Sequence, residues 1–228
     1  MQLTLEEMKI SISKSNIPNY VVIEGPIGVG KSTLARSIAY SLGYETLLEQ
    51  PEENPFLDRF YQDRTTYALQ TQLSFLFQRT RQLDEMKQVD LFQPKVIADF
   101  MLEKDALFAQ VTLDQHELDI YSQVYEHVVT GMPKPNLVVY LQAPVSVLSQ
   151  RIKKRGIEAE KHINNKYLEN LNEAYMNFFH SFDAAPVLIV NAAEIDFVND
   201  PDQYRELVKH ILSTNAGKHF YNPITRDI

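Results

Sequence analysis

The sequence predicts an α/β fold, a five-stranded parallel sheet flanked by helices on both faces. Two observations predict it. Short apolar runs alternate with longer segments of helical period. The first run, "YVVIEG", passes through a glycine-rich turn straight into a helical pattern. Strands separated by helices imply right-handed crossovers, hence parallel strands covered on both faces.

Taken in order, residues 1–18 read as a polar extension and "YVVIEG" as the first strand. A helix over 32–42 follows, ended by Gly43. "YETLL", "KVIAD", "NLVVYL" and "PVLIV" are the second to fifth strands. Helices over 65–87, 114–130, 145–154, 162–182 and 201–213 fill the gaps. In the first of these, Leu69, Leu73, Leu76 and Leu83 recur at helical spacing as core, supported by Phe75 and Phe77. One domain spans 19–214, and "NAGKHFYNPITRDI", residues 215–228, reads as a loosely held tail.

Composition narrows the function classes. A formal charge of −8 argues against a nucleic-acid binder, whose footprint is a basic face. Phosphate binding needs only a few local cations and backbone N–H groups, so it stays open. The absence of cysteine removes disulfides, thiolate nucleophiles and thiolate-bound zinc. No apolar run reaches ~18 residues, so no membrane partner is expected. The expected compartment is the cytoplasm.

Gly25-x-x-x-x-Gly30-Lys31-Ser32 has the spacing of a phosphate cradle, set between a strand and a helix as a P-loop NTPase-type fold requires. Gly25, Pro26, Ile27, Gly28, Val29, Gly30, Lys31, Ser32 and Thr33 would wrap the phosphates of ATP. Backbone N–H groups turn inward there, and the helix N-terminus adds a favourable dipole. Lys31 would neutralise the β- and γ-oxygens, and the Ser32 hydroxyl would ligate Mg²⁺.

Function in such sheets gathers at the carboxyl ends of strands. Asp99 closes the third strand, where it serves either the water shell of the magnesium or only a helix N-cap. Glu49 closes the second, either as a functional acid beside the cradle or as one more acid of a solvated turn with Glu52 and Glu53. Gln72 and Arg79 share one helix face about 10 Å apart. They are solvated there, or they read a nucleobase edge. "QRIKKRG" sets Arg151 and Arg155 one turn apart, as a basic helix end or as a mobile lid of cations.

Together "GPIGVGKST", Glu49-x-x-x-x-Asn54-Pro55-Phe56-Leu57, "FYQD" with the Gln72/Arg79 helix, "ADFMLEKDALFA", "KPNLVVYL" and "RIKKRG" resemble the deoxyribonucleoside kinase family over roughly residues 19–192. The resemblance implies ATP-dependent phosphorylation of a deoxynucleoside 5′-hydroxyl, with Mg²⁺, by a homodimer. It makes Glu49 the base facing that hydroxyl, with Lys31, Asp99 and Arg155 as its catalytic companions. Tyr61 and Glu160 would hold the sugar 3′-hydroxyl, Gln72 and Asp105 the base edge with Arg79 alongside, and Arg151 and Arg155 would be lid arginines. Two positions depart from the pattern. Phe100 stands where many members have an arginine after the strand-three acid, and Ile157 replaces a further lid arginine. The weighed alternatives are a thymidylate-type monophosphate kinase and a non-catalytic nucleotide-binding subunit. Gln50, Pro51, Glu52 and Glu53 carry the wrong charge to clamp an acceptor phosphate. Gln72 can donate and accept in one plane, which suits adenine and favours deoxyadenosine.

Overall fold

The structure, a computed structural model, describes residues 18–88 and 95–223. The expected N-terminal extension thus lies outside the described residues except for Pro18. Among these residues six parallel strands form one sheet: β1 (Tyr20–Glu24), β2 (Glu45–Leu47), β3 (Val96–Ala98), β4 (Leu137–Gln142), β5 (Val187–Asn191) and β6 (Lys218–Tyr221). Their spatial order is β2-β3-β1-β4-β5-β6. The helices are α1 (Lys31–Leu42), α2 (Leu57–Gln62), α3 (Arg64–Gln88), α4 (Glu103–Thr112), α5 (Gln115–Val128), α6 (Val145–Arg155), α7 (Asn165–Ser181) and α8 (Pro201–Ser213). Short 3₁₀ turns occupy Pro51–Glu53 and Ala159–His162.

The period of two along β1 divides the core. Val21 and Ile23 join Leu34 and Ile38 of α1, Leu148 and Ile152 of α6 and Leu207 of α8 on one face. Tyr20 and Val22 join Leu76 and Leu83 of α3, Leu107 of α4 and Phe179 of α7 on the other. The central strands are buried on both faces and so read as continuous apolar runs. Polar groups set the helix starts. Asp114 and Glu117 form a reciprocal capping box on α5. Asp200 accepts from Asp202 N and Gln203 N at α8, ahead of Pro201. Among the described residues no helix is long and apolar enough to cross a membrane.

Three expectations are corrected. The sheet has six strands rather than five, because Lys218–Tyr221 of the expected loose tail pairs in parallel with β5. Asn215, Ala216 and Gly217 before that segment and Asn222 and Pro223 after it masked a strand of four residues. Phe77 is half exposed rather than core. It lies about 100° around the helix from the buried line through Leu76 and Leu83. Helices α2 and α4 were not expected. The first turn of α4 contains Lys104 and Asp105, both buried, and these charges interrupt its apolar period.

The four cross-strand pairs of β6 make it part of the folded unit. Ending the chain at Ala216 should cost about 1–3 kcal/mol from those pairs. That would lower the melting temperature by roughly 2–10 °C, and the uncovered edge of β5 should promote association. Thermal melts and light scattering of the shortened chain check this. An unchanged melting temperature would place β6 outside the cooperative fold.

Candidate active site

β1 neighbours both β3 and β4, so the connections diverge at its carboxyl end, where open α/β sheets bind their ligands. The loop from Gly25 to Gly30 fills that point. Gly25 has φ 145°, and a Cβ there would run into the Leu141 carbonyl of β4. No acid of α1 itself occupies its first turn, and the carboxylate that reaches this end of the helix is that of Asp99. Lys31 folds back across the loop and donates through Nζ to Gly25 O at 2.9 Å and Pro26 O at 3.4 Å. Burial and the nearby charge of Lys104 lower the pKa of Lys31, against the opposite pull of Glu24, Glu49 and Asp99. Gly28, Val29, Gly30, Lys31, Ser32 and Thr33 line a cavity of ≈ 790 Å³ beside Arg151 and Arg155. Ile27 instead packs against the core.

Asp99 is the junction of the site. Its Oδ2 accepts from the Ser32 hydroxyl, and its Oδ1 accepts from Glu49 N at 2.8 Å. One carboxylate thus ties the start of α1 to the end of β2. A hydroxyl beside a carboxylate is a hard-oxygen donor set that suits Mg²⁺. Among the described residues no group of three or more acids and histidines forms a metal cage. Mg²⁺ bound mainly through substrate phosphates and water needs no such cage.

Beneath Asp99 runs a row of alternating charge. Lys104 Nζ lies 3.5 Å from Glu24 Oε1 and 2.6 Å from Glu49 Oε1. Arg79 Nε donates to the same Glu49 oxygen at 2.9 Å, its Nη2 reaches that oxygen too, and its Nη1 pairs with Asp105. The order is Glu24, Lys104, Glu49, Arg79, Asp105. Burial alone would raise the Glu49 carboxyl. The Arg79, Lys104 and Lys31 charges and the Lys104 hydrogen bond outweigh it and hold the group well below the usual carboxylate range. All these donors reach Oε1, and Glu49 Oε2 has no hydrogen bond within the described residues.

The other expected residues occupy separate settings. Gln72 is buried, not solvated, and its amide makes no hydrogen bond within the described residues. Tyr61 is buried, and burial together with the Tyr167 and Glu160 charges pushes its hydroxyl far up, so it remains a proton donor. Arg155 and Glu160, expected in separate roles, form one two-pronged ion pair at 3.0 and 2.5 Å. Arg151 is no free lid cation. Its Nη1 donates to Val29 O at 3.0 Å and its Nη2 to Ala192 O at 2.8 Å, which stitches the loop to the end of β5.

Sequence reasoning missed Glu24, Lys104 and the wall built by Ile195, Asp196 and Phe197. Glu24 is fully buried and accepts from Gly25 N, Met101 N and the Tyr175 hydroxyl. The available signal was charge inside apolar runs: a glutamate ending "YVVIE" and a lysine within "MLEKDALFA".

A nucleotide phosphate cradle adjoining a carboxylate with one open oxygen defines a P-loop phosphotransferase that acts on a small acceptor. The chain belongs to the deoxynucleoside kinase family, whose model matches residues 21–215, and it is an enzyme that phosphorylates deoxynucleosides. It is 35% identical to a deoxyguanosine kinase of Bacillus subtilis (strain 168) over 203 residues, 86% of this chain and 97% of that protein. A deoxyadenosine/deoxycytidine kinase of the same organism is 29% identical over 201 residues, 85% of this chain and 91% of that protein. A deoxyadenosine kinase from M. mycoides with bound dATP superimposes with a TM-score of 0.73 at 32% identity, covering 85% of this chain and 98% of that one.

The depressed Glu49 carboxyl has a consequence for stability. Its folded-state pKa lies below the unfolded value of about 4.3, so its contribution is complete above that value and lost as pH falls below it. Glu49→Gln should therefore be less stable at pH 7 by about 2 kcal/mol. The gap should narrow as pH falls below about 5 and vanish only below the depressed folded-state value. Denaturant unfolding of both proteins across that range checks the sign. A gap that stays constant with pH would contradict the ion-pair account.

Proposed function

We propose that the protein transfers the γ-phosphoryl of ATP to the 5′-hydroxyl of a 2′-deoxyribonucleoside, with deoxyadenosine foremost. The observation that carries this reading is the state of Glu49, anchored by cations on Oε1 and open on Oε2. A primary alcohol is a poor nucleophile at neutral pH, and a fixed carboxylate within hydrogen-bond reach orients it and accepts its proton. Arg79 and Lys104 spend their charge on Glu24, Glu49 and Asp105, three acids against two bases. Both already carry carboxylate partners and leave no net positive charge to hold an acceptor phosphate, so a nucleoside fits and its monophosphate is repelled.

Lys31 would exchange its two carbonyl partners for the β- and γ-oxygens, adding charge that strengthens as the bond to the γ-phosphoryl loosens. Ser32 directly, and Asp99 through water, would hold Mg²⁺, which when bound neutralises phosphate charge. Tyr61 donates to the sugar 3′-hydroxyl, and Glu160 accepts from it while it holds Arg155 over the phosphoryl. Gln72 offers its uncommitted amide to the N6/N7 edge of adenine, with Asp105 beside it. Deoxyguanosine is the second reading, favoured by the 35% identity to a deoxyguanosine kinase. A homodimer in the cytoplasm completes the proposal. Half-exposed Phe77 of α3 and Ile120 of α5 supply apolar surface for such contact.

The test incubates wild type and Glu49→Gln with ATP, Mg²⁺ and each deoxynucleoside or its monophosphate. Wild type should convert nucleosides, with purines best and thymidine poor. Glu49→Gln should lose on the order of 10²–10⁴-fold in turnover. Faster conversion of a monophosphate by wild type, or full turnover by the variant, would refute the reading. For the base pocket, Gln72→Ala should lower kcat/KM for deoxyadenosine by about 1–3 kcal/mol. A steady-state comparison across the four deoxynucleosides reads this directly, and an equal loss for all four would remove Gln72 from base selection.

A further inference from the structure

Lys104 is a buried charge to which the mechanism above gives only a share in anchoring Glu49. It sits in the first turn of α4 at 3% exposure, and burying an ammonium costs several kcal/mol unless its partners repay it. Both partners are already served by others. Glu24 accepts from Gly25 N at 2.8 Å, Met101 N at 3.2 Å and the Tyr175 hydroxyl at 3.0 Å. Glu49 has two donors from Arg79. Lys104 is thus a second cation on an oxygen that one cation already holds.

Its surroundings indicate what the second cation does. Lys104 is on Glu49, whose backbone N–H is held by the same Asp99 carboxylate that accepts from Ser32 beside Lys31, so the ammonium is two links from the cradle. Of the other cations of the site, Arg79 is fixed between Glu49 and Asp105 and Arg151 is spent on two backbone carbonyls, which leaves Arg155, shared with Glu160, beside Lys31 and Lys104. Phe100, directly after Asp99, is fully buried and brings no charge. Lys104 combines a flexible four-carbon stem with an ammonium already 2.6 Å from the acceptor carboxylate.

We propose that Lys104 is a further catalytic cation of the phosphoryl transfer, bridging Glu49 Oε1 and an equatorial oxygen of the γ-phosphoryl in flight. This rests on the reading of Glu49 as the group that faces the acceptor hydroxyl. In the step, the bond from the 5′-oxygen to Pγ forms and the bond from Pγ to the β,γ-bridging oxygen breaks. The electron pair of the broken bond stays on ADP, and the hydroxyl proton passes to Glu49 Oε2. Lys104 keeps its protons throughout and contributes charge alone. By lying on Glu49 and the phosphoryl together, it also brings nucleophile and electrophile into line.

The test compares Lys104→Gln and Lys104→Arg with wild type by steady-state kinetics, deoxyadenosine binding by calorimetry, and thermal melts. Lys104→Gln should lose roughly 10²–10³-fold in kcat, the range for removing one preorganised donor to transition-state charge. Its KM and Kd for deoxyadenosine should stay within about threefold, since the cation acts on the reacting phosphoryl rather than on nucleoside binding. Lys104→Arg should recover at least about tenfold of the lost kcat, because the charge returns without the ammonium's reach. If Lys104→Gln does not fold, the double variant Glu24→Gln, Lys104→Gln withdraws one buried charge of each sign and is judged by the same criteria. A kcat within threefold of wild type, or a loss confined to KM and melting temperature, would overturn the proposal. Glu49→Gln run alongside separates the two claims: if it is inactive while Lys104→Gln is active, only the role of Lys104 fails.

Discussion

Five ionised side chains in a row, Glu24, Lys104, Glu49, Arg79 and Asp105, constrain both the fold and the site of this kinase. The row joins the end of β1, the segment after β2, the middle of α3 and the first turn of α4. Each member is a neighbour's counter-charge in a poorly solvated place. Removing an inner member strips its neighbours of part of their compensation, at a cost of about 2 kcal/mol for Glu49. The arrangement therefore specifies how α3 and α4 sit on the sheet as well as what the site can bind. Its acids outnumber its bases by one, and the row as a whole disfavours an anionic acceptor.

Asp99 connects this row to the phosphate cradle. Through its two oxygens the backbone after β2 and the hydroxyl opening α1 are held at one point. The cradle and Glu49 are thereby set at a fixed separation, and on the proposed reading positioning supplies much of the rate in phosphoryl transfer. On the donor side the loop is braced by Arg151 and by the tight approach of Gly25 to β4. Little of the cradle has to be assembled when a nucleotide arrives.

Much of this was legible in the sequence, for identifiable reasons. The alternation of apolar runs with helical period fixed the order of the first five strands, and the glycine spacing placed Lys31 and Ser32 at the opening of α1. Gln72 and Arg79 were assigned correctly to one helix. Their burial could not be read, because an exposed amide and guanidinium look the same in sequence as ones turned inward. The same limit hid Lys104 and Glu24: a buried ion pair is a long-range arrangement, and neither partner carries a local mark of the other. Strand β6 was hidden by turn-forming neighbours, and its pairing depends on the otherwise open edge of β5. Arg151 was legible as a cation of the basic helix but not as a brace of the cradle, since its partners are backbone carbonyls remote in sequence.

The most direct measurement of the central claim is a crystal structure of the protein with deoxyadenosine and a non-hydrolysable ATP analogue. The account predicts the 5′-oxygen within about 2.6–3.2 Å of Glu49 Oε2, while Arg79 stays on Oε1. A 5′-oxygen bound to another residue, or Glu49 turned away from the sugar with both oxygens on Arg79, would contradict it.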